Sequence, residues 1–379
     1  MPRPLSVVMV SAGFWPAVGG AERQALELSV ALVRRGHRVT VLTRRVNGLP
    51  AREEVRGVKI RRLPVFGRGA IDAACFLTGS FLWLLFHWTD WDAVHAHLAG
   101  SPALSASLAG RLLGRPALVK LGGGRGIGEL ASSAETTAGR AKLRVLAALR
   151  PHFLAVVPDL ADEARAFLGA ADIEILPNGV DVDRFAPANP ARRRALREEY
   201  GWDQDAVVFL YTGRFSPEKR LPWFLNLWSA SAGARARAVL IGDGPERGAV
   251  EAAAVAGSGR VSVLSARDDL AGFYAAADVF FLPSTSEGLS NALLEAMASG
   301  LAVLASRVGG TAQTVADGRD ALLFDRDDEI ALKNAVRRLE TEPGLAAALG
   351  RAARAEARSR YALDGLLDRF EELYRFRAS

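Results

Sequence analysis

Short apolar runs rich in β-branched residues alternate with longer amphipathic ones along almost the whole chain, and the alternation is carried through twice. In the first half the spacing predicts strands at Ser6–Val10, Arg38–Thr43, Val58–Arg62, Ala93–His97, Ala117–Leu121, Phe153–Val157 and Ile173–Leu176. Helical periodicity lies between them, clearest at Glu22–Arg35, Phe76–Trp88 and Leu104–Leu113. The second half predicts strands at Val207–Thr212, Ala238–Gly242, Val261–Leu264, Val279–Leu282 and Ala302–Ala305, with helices at Leu221–Ala230, Ser290–Ser299 and Glu329–Glu340. Strands that are apolar on both faces belong to parallel sheets covered by helices on either side. Two such series predict an α/β chain of two doubly wound, Rossmann-like domains.

The pattern breaks around Asn178–Arg197, where Pro187, Pro190 and the cationic run Arg192, Arg193 and Arg194 mark a seam. The expected division is an N-terminal domain over 1–180, a C-terminal domain over 181–360, and a terminal amphipathic helix over 361–379, centred on Tyr361–Phe376. A length of 379 residues suits two domains. With half the residues apolar and 24% charged, the chain can bury real cores, which excludes disordered, collagen-like and coiled-coil classes. The single cysteine, Cys75, excludes an internal disulfide and a thiolate metal cluster.

The formal charge of +6 is unevenly placed: residues 1–180 carry +8 and residues 181–379 carry −2. Such asymmetry steers an anionic ligand or an anionic membrane surface, or else reflects drift in an Ala-, Arg- and Gly-rich chain. The pairs Arg34–Arg35, Arg44–Arg45 and Arg61–Arg62 lean toward a membrane surface. Aromatic interleaving of the kind that binds nucleic acid is absent. Leu5–Val10 is too short for the apolar region of a secretory signal. The uncharged stretch Ala73–Trp88 is shorter than the ~20 residues that cross a bilayer. It reads as a buried helix, or, in the alternative, as one resting in a membrane interface through Trp83, Phe86 and Trp88.

Ligands of open α/β sheets bind beyond the carboxyl ends of the strands, so the strand-to-helix turns are the places for chemistry. The first turn, Ser11–Gln24, carries Gly19 and Gly20 and resembles a phosphate cradle. It lacks the G-x-G-x-x-G dinucleotide fingerprint, which argues against an oxidoreductase. In the second half Gly213–Lys219 offers Arg214 and Lys219 to a pyrophosphate, Arg as a fork and Lys as a point charge. Gly242–Pro245 reads as a simple turn. The segment Pro283–Gly300 places Glu287 in a polar loop after a buried strand, starts a helix near Ser290 and puts Glu295 on it. At 1.5 Å per helical residue the two carboxylates stand at most roughly 12 Å apart, a span that suits hydroxyls on either side of a diphosphate. Two glutamates at this spacing are also commonplace on helices.

The order of GGAER (19–23), HAH (95–97), PNGVD (177–181), GRFSPEK (213–219), GDGP (242–245) and the glutamates at 287 and 295 resembles a GT-B fold glycosyltransferase of the family 4 type, over essentially the whole chain. The resemblance implies two Rossmann-like domains facing a central cleft, with the terminal helix crossing back to the first. It implies a retaining, metal-independent hexosyltransferase that uses a nucleoside diphosphate sugar as co-substrate and needs no further cofactor. Gly19 and Gly20 would approach the donor diphosphate, and Arg214 and Lys219 would bind it. Glu295 would hold the ribose, Glu287 the donor sugar, and the N–H groups of Leu289 and Ser290 the phosphates. Asp181 and Asp183 imitate the metal-binding D-x-D of another glycosyltransferase fold but read as structural. Gly122 stands where many relatives place a histidine against the reacting sugar. Its glycine-rich loop would line donor or acceptor, and His97 is the acceptor-side candidate, with a packed structural role as the alternative.

The expected partners are a nucleotide-sugar donor and a hydroxyl acceptor on a sugar, glycolipid or small molecule, with no nucleic acid. The expected location is cytoplasmic, peripheral on the inner face of the cell membrane. A nucleotide-sugar epimerase and a non-catalytic nucleotide-sugar-binding relative are the alternatives.

Overall fold

The computed structural model describes residues 3–16, 19–123, 128–169, 173–257 and 259–376. The chain divides into two compact units: Met1–Gly179 with Leu363–Ser379, and Val180–Ala362.

The first unit is built on an eight-stranded sheet. Its strands are β1 (Ser6–Val10), β2 (Arg38–Arg44), β3 (Arg52–Val55), β4 (Val58–Leu63), β5 (Ala93–His97), β6 (Ala117–Lys120), β7 (His152–Ala155) and β8 (Ile173–Ile175), in the order 3-4-2-1-5-6-7-8. All pair in parallel except β3, which runs antiparallel to β4. Every residue of β1 and β5 is buried, as central strands covered on both faces require. The sequence pattern omits β3, since Arg52-Glu-Glu-Val55 has the polar look of an edge. It is made by a two-residue turn at Arg56 (φ 52°) and Gly57 (φ 83°), the positive-φ geometry that suits the twist of a hairpin.

The helix Leu363–Arg375 belongs to this unit. Leu363, Leu367, Phe370 and Tyr374 recur at helical spacing and are buried with Leu28, Leu32 and Leu118, each worth about 1.5–3 kcal/mol of apolar burial. Arg35 fastens the helix by pairing with Asp368 and Glu371.

The stretch read as a buried helix is an exposed one. In the helix Ala70–Phe86 only Phe76, Ser80 and Leu84 are buried. Ile71, Leu82 and Phe86 are 64%, 42% and 80% exposed, and the following Trp88 is 54% exposed. One face of this apolar helix satisfies the core, and among the described residues none covers the other.

The second unit carries six parallel strands: β9 (Val207–Thr212), β10 (Ala236–Ile241), β11 (Val261–Leu264), β12 (Val279–Leu282), β13 (Ala302–Ser306) and β14 (Ala321–Phe324), in the order 11-10-9-12-13-14. Phe224 stacks on Phe281 at 4.1 Å in its core. Strand β14 is absent from the sequence reading. Buried Asp320 sets it up by accepting the Ala316 N–H at 2.6 Å and pairing with Arg319.

The arginine run that marks the seam lies on a helix. Asn189 caps a helix over Pro190–Glu199 by accepting the Arg192 N–H. From this helix Arg193 and Arg197 each reach Asp278 at 2.6 Å. Asp181 Oδ1 accepts the N–H groups of Asp183 and Arg184, closing its own turn.

Candidate active site

Both sheets reverse strand order at one point, between β1 and β5 and between β9 and β12. The loops leaving the carboxyl ends at such a point diverge and leave a crevice.

In the second unit, four strand-end turns are stitched together there. The Phe215 N–H donates to the Asp243 carbonyl at 2.8 Å and the Thr285 N–H to the Glu218 carbonyl at 2.8 Å, while the Gly310 N–H reaches the Glu287 carbonyl at 3.0 Å. Glycine permits this closeness. A Cβ on Gly242 would lie 1.9 Å from the Gly213 carbonyl oxygen, and one on Gly309 (φ 40°) would lie 2.4 Å from that of Glu287. Gly242–Pro245 is therefore more than a connection: it braces the turn that carries Arg214.

Across the β9/β12 point Lys219 Nζ meets Glu287 Oε1 at 2.5 Å. The side chains are 18% and 8% exposed, so this is a partly dehydrated pair rather than a surface one. Ser284, fully buried, donates to the same Oε1 at 2.6 Å. Both bonds end on Oε1, so among the described residues Oε2 is left to accept from a ligand. Ser306 in turn donates to the Ser284 carbonyl at 2.5 Å. Arg214 is exposed, and its backbone carbonyl accepts from Tyr211 Oη at 2.9 Å. Ser290 caps the helix Asn291–Ala298, Leu289 is buried just before it, and Glu295 is buried on it.

In the first unit, Gly19 and Gly20 are exposed at the start of the helix Gly20–Arg34. The Gly19 N–H donates to Glu22 Oε2 at 3.0 Å, so an incoming anion would compete with that carboxylate. His97 closes β5 beside Lys120, its register partner at the end of β6. The next residue, Leu98, sits at φ 77°, a conformation that β-carbon sterics disfavour. His97 stacks on His95 at 4.5 Å. Burial, and then the Lys120 charge, push His97 down to about 3, so it is neutral near pH 7. Burial lowers Lys120 to about 8. Among the described residues the Nε2 atoms of His95 and His97 are buried without a hydrogen-bond partner, while His95 Nδ1 meets Tyr374 Oη at 2.8 Å.

Gly122 is half-buried, and a Cβ there would lie 2.6 Å from Leu98 Cδ2. Residues 124–127 of its glycine-rich loop lie outside the described residues. Burial raises Glu129, just beyond that loop, to about 7 against hydrogen bonds from the Ala99 and Gly122 backbone.

The structure thus brings Lys219 and Glu287 into contact and leaves Arg214 exposed on the adjoining turn. Sequence reasoning missed Ser284, Ser306, Gly309, Lys120 and Glu129. Lys120 alone left a mark there, as a charge closing an apolar strand.

Two family profiles match the chain, one described as Glycosyltransferase Family 4 over residues 18–184 and one as Glycosyl transferases group 1 over 206–342. A D-inositol 3-phosphate glycosyltransferase of Streptomyces avermitilis is 32% identical over 48% of this chain and 42% of its own length. A GDP-mannose-dependent alpha-(1-6)-phosphatidylinositol monomannoside mannosyltransferase of Mycolicibacterium smegmatis is 36% identical over 50% of this chain and 53% of its own. The chain thus spans about half the length of these curated relatives. Among solved structures, HepE of Anabaena in complex with UDP-glucose superposes with a TM-score of 0.77 at 18% identity, covering 97% of this chain and 98% of that one, a likeness of fold.

Proposed function

Because the chain belongs to the family 4-type glycosyltransferases of the GT-B fold, we propose that it moves a hexosyl group from a nucleoside diphosphate sugar to an acceptor hydroxyl with retention of configuration. The observation that carries this reading is the Lys219–Glu287 pair beside exposed Arg214, held at the β9/β12 reversal by turns hydrogen-bonded to one another. It sets two cations where a diphosphate can be met and a carboxylate where sugar hydroxyls can be met.

In this reading Arg214 and Lys219 hold the diphosphate, with N–H groups at Leu289 and Ser290 as further donor contacts. Glu287 Oε2 accepts from the sugar, and Glu295 from the ribose. His97, neutral, lies on the acceptor side. The bond from the anomeric carbon to the phosphate oxygen breaks, and its electron pair leaves with the phosphate. The acceptor oxygen bonds to the same face of that carbon, and its proton passes to the departing phosphate oxygen. Arg214 and Lys219 neutralise the charge that develops, a task the proposal assigns to no metal and no cofactor. Losing one such group costs ~10²–10³ in rate.

The basic first half and the exposed Ala70–Phe86 helix support a lipid-linked or envelope acceptor, met at the cytoplasmic face of the membrane. Among the described residues no helix is long and apolar enough to cross a membrane. The test is a thermal-shift panel of UDP-, GDP- and ADP-sugars, followed by turnover of the stabilising donor with and without EDTA and anomeric analysis of the product. A stabilising donor that is turned over with retention and insensitively to EDTA is the expected result. Conversion of the donor without an acceptor would instead mean epimerisation, and binding without turnover a non-catalytic relative.

A further inference from the structure

The uncovered face of Ala70–Phe86 is one continuous stripe. Ile71, Ala74, Thr78, Leu82 and Phe86 are exposed and recur every three or four residues, opposite buried Phe76, Ser80 and Leu84. A surface helix ordinarily turns polar residues outward, yet this stripe carries no charge over about 25 Å of helix. Asp72, the only charged residue of the helix, is paired with Arg44 at 3.0 Å. Phe66, 72% exposed, precedes the helix and Trp88, 54% exposed, follows it. On the neighbouring helix Ser101–Leu113, Leu108 and Leu112 are also exposed.

Cations flank the apolar surface at both ends. Near the start of the helix Arg44 lies 5.5 Å over Phe76, Arg45 is exposed at the end of β2, and Arg68 is exposed just ahead of the helix. Past its end Arg115 lies 5.9 Å over Trp88, and Arg111 is exposed on the neighbouring helix. This helix is not long and apolar enough to cross a membrane, but aromatic and aliphatic side chains between arginines are what an interfacial helix needs: apolar area to sink below the headgroups and cations to meet anionic lipid.

We propose that this face, Phe66, Ile71, Leu82, Phe86 and Trp88 with its flanking arginines, is the seat of an anionic lipid bilayer. It supplies the membrane partner for the reaction proposed above, and rests on that reading only for the class of acceptor delivered there.

The experiment is sedimentation of the full chain with vesicles of phosphatidylcholine alone and of phosphatidylcholine mixed with phosphatidylglycerol, without donor. Binding is expected only with the anionic lipid, weakening as salt rises. The double substitution Leu82→Glu and Phe86→Glu should reduce it at least tenfold with melting temperature unchanged, since both side chains are already exposed. Ile330→Glu, at an exposed apolar residue of the second unit, should leave binding as it is. Absence of anionic-vesicle binding, or binding untouched by the double substitution, overturns the proposal. So does light scattering that shows a dimer dissolved by the double substitution, because the face then covers a second copy. Turnover of a water-soluble acceptor by a chain that ignores vesicles would leave the reaction standing and remove only the membrane seat.

Discussion

Lys219 and Glu287 lie 68 residues apart in sequence and meet at 2.5 Å across the two strands where the second sheet reverses its order. Removing either partner leaves the other charge dehydrated and unpaired. Lys219→Ala should therefore lower kcat/KM by about 10²–10³ and destabilise the second unit by a few kcal/mol, up to about 3–5. Glu287→Gln keeps the shape and should lose comparable activity with less effect on melting. Wild-type kinetics in either variant would remove the pair from the reaction.

Ser284 does not touch the ligand in this reading and acts through Glu287, donating to Oε1 at 2.6 Å from a fully buried position. Ser284→Ala should cost about 1 kcal/mol of stability. It should also raise the donor's KM more than it lowers kcat, because the carboxylate keeps its charge and loses its orientation. An unchanged KM would make Ser284 a packing residue only.

The central strands were readable because β1, β5, β9 and β12 are covered on both faces, and a two-sided interior demands unbroken apolar runs. Edge strand β3 carries no such demand, and its only mark is the Arg56–Gly57 turn. The Ala70–Phe86 helix misled for a related reason: when both faces are apolar, period alone cannot say which one the fold covers. Lys219 and Glu287 stood out as charges on turns after apolar strands. Ser284 and Gly309 did not, since their roles arise from contacts between turns brought together only by strand order.

Gly309 combines positive φ with a carbonyl oxygen 2.4 Å from where a Cβ would stand, whereas Gly344 has positive φ and open space. Gly344→Ala should cost about 1 kcal/mol for the left-handed backbone alone. Gly309→Ala must also push the Glu287 loop away, so its fall in melting temperature should be severalfold larger and accompanied by loss of donor-induced stabilisation. Equal falls in the two variants would refute the close-approach account.

Buried Lys120, Glu129 and His97 of the first unit each make stability depend on pH. Lys120 has its pKa lowered from 10.5 to about 8 by burial, so between those values the unfolded chain holds a proton that the folded chain has released, and stability rises with pH. Glu129 is raised from 4.5 to about 7, so between those values its contribution to stability falls as pH rises, opposing that of His97, whose lowering from 6.5 to about 3 makes stability rise with pH. Lys120→Met should abolish the alkaline rise and stabilise the protein at pH 7 by roughly 3 kcal/mol, the cost of keeping that charge buried. Glu129→Gln keeps an acceptor for the Ala99 and Gly122 N–H groups and should leave the His97 contribution unopposed, so that stability rises more steeply with pH below about 6.5 than in wild type. Melting temperatures of both variants from pH 4.5 to 10.5 decide the matter: a Lys120→Met protein that is less stable at pH 7, or a Glu129→Gln profile parallel to wild type, would show that these groups are not dehydrated as the structure places them.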